Sequence, residues 1–241
     1  MGIGDRFQQE TSYRRDDPTQ GSAGILSTPD RDGPHHLLPH PDLTNSSSLW
    51  EALRNRRSVR SFTGEPISEV ELASILWAAQ GITDSQGRRA FRTAPSAGAL
   101  YPVETYVAIQ AVTDLTPGIY YYQALEHCLV QLSTGDAAQA AARAALDQQF
   151  IAQAAITLFW TAVFERSEVR YKERAYRYVY LDAGHIAQNA ALAATAQGLG
   201  SCQIGALYDD ECNALLGVDG EREAILYMTT IGHPATQGRA S

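Results

Sequence analysis

Cysteine is scarce in this chain of 241 residues, and its placement matches no common metal-binding or redox spacing. The three cysteines, Cys128, Cys202 and Cys212, stand far apart and form no Cys-x-x-Cys pair. This excludes a zinc finger or a dithiol site of the usual spacing. We expect the three thiols to fill small spaces in the core, because a free cysteine behaves as a small apolar residue.

Long apolar runs and an excess of positive charge are also missing. No run approaches the roughly 20 residues of a membrane-spanning helix, and the N-terminus lacks the apolar stretch of a secretion signal. The formal net charge of −8 disfavours a nucleic acid or an anionic membrane surface as a partner. The length suits one domain with a sizeable core, and we expect a soluble, cytoplasmic protein.

No strand pattern is followed by Gly-x-Gly-x-x-Gly, which disfavours a Rossmann dinucleotide site. A capping box at Ser68 to Glu71 predicts a helix that ends at Gly81. Other patterns predict a loop over 84–92 and a long helix from about 167 to 197, interrupted only at Gly184. Strands are predicted near 106–112, 118–123, 128–132, 154–163, 201–204 and 224–231. Because strands, hairpins and helices are interspersed, we predict an α+β class built in layers.

Residues 1–45 are polar and show no helical or strand period, so we expect a disordered or surface-laid arm before a domain at 46–241. His35, His36 and His40 lie in this arm. The neighbouring sequence offers them no cysteine and no paired carboxylate, so we expect no metal site.

The stretch from Arg54 to Phe62 concentrates positive charge in an acidic chain. Four arginines and two serines lie within these nine residues, just after a predicted helix that holds Leu49, Trp50 and Leu53. Guanidinium groups match the geometry of phosphate oxygens, and serine hydroxyls add hydrogen-bond donors on short side chains. This favours a binding site for a cofactor phosphate. A solvated basic face is the alternative, and from this stretch alone both stay open.

A second stretch, Arg92 to Glu104, contains Pro-Ser-Ala-Gly-Ala-Leu-Tyr-Pro, and its small residues would let the backbone approach a flat ring closely. Together with the first stretch, and with the later Tyr-Arg-Tyr-x-x-Leu-Asp-Ala-Gly-His-Ile-x-Gln-Asn, it resembles the nitroreductase-like FMN flavoproteins. In their detailed sequence these motifs are similar to those of the SagB-type (ThcOx-like) dehydrogenase branch. The resemblance covers roughly Leu49 to Pro234. The resemblance implies a layered fold with a largely antiparallel central sheet, in a homodimer whose N-terminal segments often wrap the partner subunit.

The resemblance also implies a set of FMN-binding residues. The phosphate and ribityl contacts would come from Arg56, Ser58 and their neighbours, the flavin face from the Pro-Ser-Ala-Gly segment, and the N5 side from the segment after Gly200. In full, the implied cofactor residues are Arg56, Arg57, Ser58, Arg60, Pro95, Ser96, Ala97, Gly98, Ala99, Ile204, Gly205, Ala206 and Arg239.

The chain departs from ordinary nitroreductases at three of these places. Ala99 stands where an asparagine usually holds the polar edge of the flavin. Ile204 stands in place of a glutamate near N5, which would open that face to a bulkier or neutral substrate. The usual C-terminal Lys-x-Arg phosphate clamp is reduced to Arg239.

Polar side chains recur at helical spacing between residues 170 and 189. A solvated face or a core network is one interpretation, and catalytic groups beside a flavin pocket are the other. As proton handlers we favour Tyr171 and His185, because an imidazole titrates near neutral pH and a phenol can donate or relay a proton. Tyr101 is a third candidate, with packing against the ring as its alternative.

The resemblance implies an FMN-dependent oxidoreductase that oxidises an azoline-type peptide or a related small molecule. It also allows for a cyclodehydratase-type partner of this protein. Two alternatives stay open: an NAD(P)H-dependent nitro or quinone reductase, and a flavin-bearing partner in a peptide-modifying complex. Azole-forming members of the branch tend to have Lys-Tyr where this chain has Arg170-Tyr171. Because arginine cannot act as a base, we hypothesise a poor azoline dehydrogenase that acts on another substrate.

Overall fold

The computed structural model describes residues 2–13, 29–44, 46–86 and 89–235. Over these residues the α-helices, α1 to α7 in chain order, are Ile3–Glu10, Leu49–Asn55, Glu69–Gln80, Ala137–Ala144, Glu165–Tyr171, Ala175–Ala196 and Asp209–Leu216. The strands, β1 to β9, are His35–Leu37, Ile82–Gln86, Arg89–Arg92, Val103–Ile109, Gly118–Gln123, Cys128–Thr134, Ile156–Val163, Gly200–Ile204 and Glu223–Gly232. In these ranges no helix is long and apolar enough to cross a membrane.

Seven of the strands form one sheet in the order β1-β6-β5-β4-β7-β9-β8. Every neighbouring pair in it is antiparallel. β2 and β3 form a separate two-stranded ribbon. β4 and β7 lie inside the sheet and are buried along almost their whole length. The predicted α+β class, with a largely antiparallel central sheet and flanking helices, is confirmed.

The two faces of the sheet pack against different helices, because successive side chains of a strand point to opposite faces. Val103 and Val107 of β4 belong to a core shared with α3 and α6, whereas Tyr106 belongs to a second core shared with α4 and α7. The sheet is therefore a middle layer between two helical layers, and α6 lies along one face of it.

Helix α3 begins where the capping box predicts. The Glu71 carboxylate accepts hydrogen bonds from the Ser68 backbone N–H at 2.6 Å and from its hydroxyl at 2.7 Å, while the Glu71 N–H donates to Ser68 Oγ at 3.2 Å. These contacts satisfy donors that the first turn of a helix leaves unpaired. The predicted apolar face, which includes Leu72 and Ile75, is fully buried.

The single long helix predicted over 167–197 is wrong. The chain leaves helical geometry at Lys172, with φ 50° and ψ −142°, and so forms the separate helices α5 and α6. Gly184, the predicted interruption, lies inside α6. A helical glycine costs only about 1 kcal/mol relative to alanine, and the buried face formed by Val179, Ala183 and Ile186 offsets that cost.

Regular structure also appears where the patterns predicted none. In the N-terminal arm, α1 is held by Arg177, which donates to the Gln8 carbonyl at 2.7 Å, and by Arg174, which donates to the Thr11 carbonyl at 2.6 Å. β1 pairs with β6, and β2 and β3 occupy the predicted loop at 84–92. Each element depends on partners distant in the chain or on cross-strand pairing that a local period does not reveal.

Candidate functional site

The Pro-Ser-Ala-Gly segment is attached to α6 through Asp182. Ser96 Oγ donates to one Asp182 carboxylate oxygen at 2.6 Å, and the Ala97 N–H donates to the other at 3.4 Å. Ser96 Oγ also accepts from the Tyr101 N–H at 2.9 Å. Asp182 is only 4% exposed. Burial raises the pKa of its carboxyl, although the hydrogen bonds from Ser96 and Ala97 and the charge of His185 lower it in part.

Gly98 is the point at which other polar groups converge on this segment. Its φ is +65°, a conformation that favours glycine. A methyl group added at Gly98 would lie 2.6 Å from the Tyr171 hydroxyl and 2.9 Å from Arg170 Nη1. The Tyr171 phenol and the Arg170 guanidinium therefore approach the backbone here, and only glycine leaves room for them.

The two other candidate proton handlers are placed differently. The Tyr101 hydroxyl accepts from the Arg92 N–H at 3.1 Å, and the Arg92 guanidinium lies 4.8 Å from the centre of the Tyr101 ring. His185 is exposed on α6, three residues beyond Asp182. Tyr101 thus already has a structural partner, and His185 faces solvent, whereas Tyr171 lies against the segment itself.

The arginine-rich stretch crosses the beginning of β8. The Val59 N–H donates to the Ser201 carbonyl at 2.9 Å, and Ser58 forms a parallel bridge with Ser201. Among the described residues, the side chains of Arg56, Ser58 and Arg60 make no hydrogen bond or ion pair. These groups are available to an anion.

Arg57 is engaged locally. Its Nη1 donates to the carbonyl of Arg54 at 2.9 Å and to that of Arg56 at 2.8 Å. These are carbonyls at the carboxyl end of α2, where a cation interacts favourably with the helix dipole. A role for Arg57 toward a phosphate stays a prediction, and Arg239 lies outside the described residues.

The C-terminal part of β8 contacts the same helix. Gln203 Nε2 donates to the Ala187 carbonyl of α6 at 3.3 Å. Ala187 lies five residues beyond Asp182, which corresponds to about 7.5 Å along a helix axis. Beyond it, Ile204 is buried whereas Gly205 and Ala206 are exposed. Helix α6 therefore connects the Pro-Ser-Ala-Gly segment with the end of β8.

A buried ion pair supports the strand that follows the Pro-Ser-Ala-Gly segment. Arg166 forms a salt bridge with Glu104 of β4, and both side chains are 4% exposed. Arg166 Nη1 also donates to the Tyr101 carbonyl at 3.0 Å, and the Tyr121 hydroxyl donates to Glu104 at 2.7 Å. The pair joins α5, which carries Tyr171, to the sheet.

The sequence predicted no site role for Asp182 or for the Arg166–Glu104 pair. Asp182 did leave a signal, since it is a lone acid on the apolar face that includes Val179 and Ile186. The polar positions of this helix were interpreted either as a structural network or as catalytic groups. Arg174 and Arg177 have a structural role, because they bind the N-terminal segment that contains α1.

Comparison with known proteins decides the family. Residues 53–233, more than two thirds of the chain, match the nitroreductase family. The chain belongs to the nitroreductase family of oxidoreductases. It is similar to the proposed nitroreductase MJ1384 of Methanocaldococcus jannaschii, with 42% identity over 192 residues, which cover 80% of this chain and 93% of MJ1384.

Two further relatives of this nitroreductase-family protein extend the comparison. The crystal structure of a proposed nitroreductase from Ralstonia eutropha superposes with a TM-score of 0.72 at 29% identity, over 91% of this chain and 100% of that one. The trifolitoxin-processing protein TfxB of Rhizobium leguminosarum bv. trifolii is 34% identical over 118 residues. That match covers 47% of this chain and only 32% of TfxB.

Proposed function

We propose that the protein is an FMN-dependent oxidoreductase of the SagB-type dehydrogenase branch, which passes a hydride between an organic substrate and the flavin. The single observation that carries the proposal is the anchored segment Ser96 to Gly98. It is tied to the buried Asp182, and the Tyr171 hydroxyl converges on its glycine. An open, rigid backbone with a proton-handling group beside it is what flavin chemistry requires of a protein.

The residues present fit such a cofactor. Arg56, Ser58 and Arg60 would hold the phosphate, because their side chains are unengaged among the described residues and offer charged or hydroxyl donors. The buried Ser201 hydroxyl, beside Ser58, also lacks a hydrogen-bond partner within the described part of the chain. The segments at 95–99 and 204–206, joined through α6, would lie against the ring.

A bound flavin would supply two-electron chemistry by taking up or giving a hydride at N5. The protein's part is to orient the substrate and to handle the accompanying proton. Tyr171 is the group we assign to that proton, because its hydroxyl lies against Gly98. Arg170 Nη1 lies against the same residue and, as a permanent cation, would orient an anionic or carbonyl group of the substrate.

The substrate we propose is a peptide or a small molecule related to one. Similarity to TfxB, which is named for the processing of trifolitoxin, supports a peptide-modifying setting. In that setting we propose a cyclodehydratase-type partner. We further propose that azoline oxidation is slow, because Arg170 stands where azole-forming members tend to have a lysine. Turnover of a thiazoline-containing peptide tests this. Robust azole formation by the wild type would refute it, whereas a gain with Arg170→Lys would support it.

We also propose that the protein forms an isologous homodimer. Three apolar side chains of α2 are exposed: Leu49 at 59%, Trp50 at 78% and Leu53 at 46%. Tyr180 and Leu181 of α6, the helix against which α2 packs, are exposed at 57% and 58%. Clusters of exposed apolar side chains mark interaction surfaces. Light scattering should give a dimer for the wild type and a smaller species for Trp50→Glu, and a flavin-loaded wild-type monomer would contradict the proposal.

Cofactor identity is the first experiment. The purified protein should be yellow and should release FMN, not FAD, on denaturation, as measured by chromatography of the supernatant. A colourless protein that fails to take up added FMN would refute the proposal.

An NAD(P)H-dependent nitro or quinone reductase is the second candidate. The similarity to MJ1384 and to the Ralstonia eutropha protein, both proposed nitroreductases, favours it. Anaerobic mixing of the flavin-loaded protein with NADPH or NADH separates the two. Rapid bleaching of the flavin would favour the reductase. Absence of bleaching, together with capture of a cyclodehydratase, would favour the dehydrogenase or a flavin-bearing partner role.

A further inference from the structure

A cluster of side chains of the kinds that bind metals lies where β1 meets the turn between β5 and β6, and it shares no residue with the candidate flavin site. The buried Cys128 Sγ lies 3.9 Å from His35 Nδ1 and 3.9 Å from a carboxylate oxygen of Glu126. The Gln123 side-chain oxygen lies 3.2 Å from the same sulfur. The donor atoms of Cys128, His35 and Glu126 are all within 4.8 Å of one another.

Strand pairing explains this meeting. Leu37 of β1 lies opposite Cys128, which begins β6, so His35 lies on the same face two residues before the paired position. Gln123, at the end of β5, lies opposite Cys128 on the other side. The neighbouring sequence had offered His35 no cysteine and no paired carboxylate. The sheet brings it a cysteine and a carboxylate from residues about 90 positions further along the chain.

The spacing suits a tetrahedral ion. Zinc binds sulfur at about 2.3 Å and nitrogen or oxygen at about 2.0–2.2 Å, which places a sulfur and a nitrogen on one ion about 3.6 Å apart. The two separations from the sulfur, 3.9 Å each, require movements of only a few tenths of an ångström. The His35 nitrogen and the Glu126 oxygen, which lie within 4.8 Å of each other, must approach to about 3.4 Å. His35 and Glu126 are exposed, so their side chains are free to make that adjustment.

We propose that Cys128, His35 and Glu126 bind a zinc ion, with the Gln123 side-chain oxygen or a water molecule as the fourth ligand. A thiolate, an imidazole and a carboxylate form a donor set that zinc uses, whereas Mg²⁺ and Ca²⁺ prefer oxygen donors only. The thiol loses its proton to the solvent when the Zn–S bond forms. The site is independent of the proposed flavin chemistry.

The consequence of such a site would be structural. β1 is a three-residue strand at the edge of the sheet, and short edge strands are weakly held. The chain just before it carries Arg31, which forms a salt bridge with the buried Glu223 and donates to the Tyr106 hydroxyl. An ion that joins β1 to the β5–β6 turn would hold the segment from Arg31 to Leu37 against the sheet.

The test is zinc binding by the full chain. The chelator-washed, reduced protein is dialysed against buffered ZnCl2, and bound zinc is measured by mass spectrometry. We expect one zinc ion per chain, and an X-ray absorption spectrum at the zinc edge with one sulfur at about 2.3 Å. Zinc should also raise the melting temperature, because it binds only the folded chain. A protein that binds no zinc, or zinc bound without sulfur, would overturn the proposal.

Matched variants locate the ion. Loss even of a group that supports a ligand weakens metal affinity about 10–100-fold, so His35→Ala and Glu126→Gln should each weaken zinc binding at least about tenfold. His40→Ala, which removes another exposed histidine of the same segment, should change it less than twofold. Equal binding by His35→Ala and His40→Ala would overturn the proposal. Because His35 and Glu126 are exposed, these variants remain informative even if the buried Cys128→Ala fails to fold.

Discussion

Gly98→Ala is the change that tests the candidate site most directly. At φ +65° an alanine costs about 1–2 kcal/mol of unfolding free energy from the backbone alone. In addition, the new methyl group would lie 2.6 Å from the Tyr171 hydroxyl. Since carbon and oxygen atoms in ordinary contact are at least about 3.4 Å apart, the hydroxyl must retreat by about 0.8 Å.

The expected effect on turnover is larger than the effect on stability. A misplacement of about 1 Å can reduce turnover about 10²-fold, so we expect a loss approaching that size. Gly64→Ala is the matched control, because Gly64 has φ +78° but nothing within 4 Å of an added methyl group. Urea unfolding should show at least the backbone cost for both variants, and only Gly98→Ala should lose turnover.

Turnover is measured on the substrates that the wild type accepts from two probes, a thiazoline peptide with oxygen and a quinone with NADPH. In Tyr171→Phe the hydroxyl is already absent, so adding Gly98→Ala should cause a smaller loss than it does in the wild type, as a double-mutant cycle would reveal. The remaining loss would come from Arg170, whose Nη1 lies 2.9 Å from the added methyl group. If Gly98→Ala loses no more turnover than Gly64→Ala, or if the two losses simply multiply, Tyr171 does not act at Gly98 and our assignment is wrong.

Three further predictions concern binding and stability. Arg56→Ala should weaken FMN retention by about 1.5–3 kcal/mol, whereas Arg57→Ala should change it little because Arg57 is bound to backbone carbonyls; equal losses in equilibrium dialysis would contradict this. Glu104→Gln should lower the free energy of urea unfolding by about 3–5 kcal/mol, since it removes the negative charge from the buried Arg166–Glu104 pair, and a loss below about 1 kcal/mol would count against it. Burial raises the pKa of Asp182 in the folded protein. The stability that this shift contributes is therefore fully present below the ordinary aspartate pKa of about 4. It is lost as the pH rises through the pKa of Asp182 in the folded state. Asp182→Asn should flatten that part of the stability profile, and an unchanged slope would disprove the assignment.

The sequence alone predicts those elements that are stabilised by contacts between residues close together in the chain. The capping box at Ser68 and Glu71 satisfies donors within one helical turn, so its residues suffice to predict where α3 begins. The hairpin of β5 and β6 follows from two apolar runs with a short turn between them. The stretches around Arg56 and Ser96 were recognisable for the same reason, because each motif is contiguous in the sequence.

Tertiary structure alone decided which distant residues meet. Ser96 and Asp182 are 86 residues apart, and His35 and Cys128 are 93 apart, so no local period connects either pair. The break at Lys172 was equally invisible, because a lysine carries no sequence signal for φ 50°. Local sequence patterns predict many of the helices and strands. Which side chains then form a site depends on the free energy of packing these elements around one sheet.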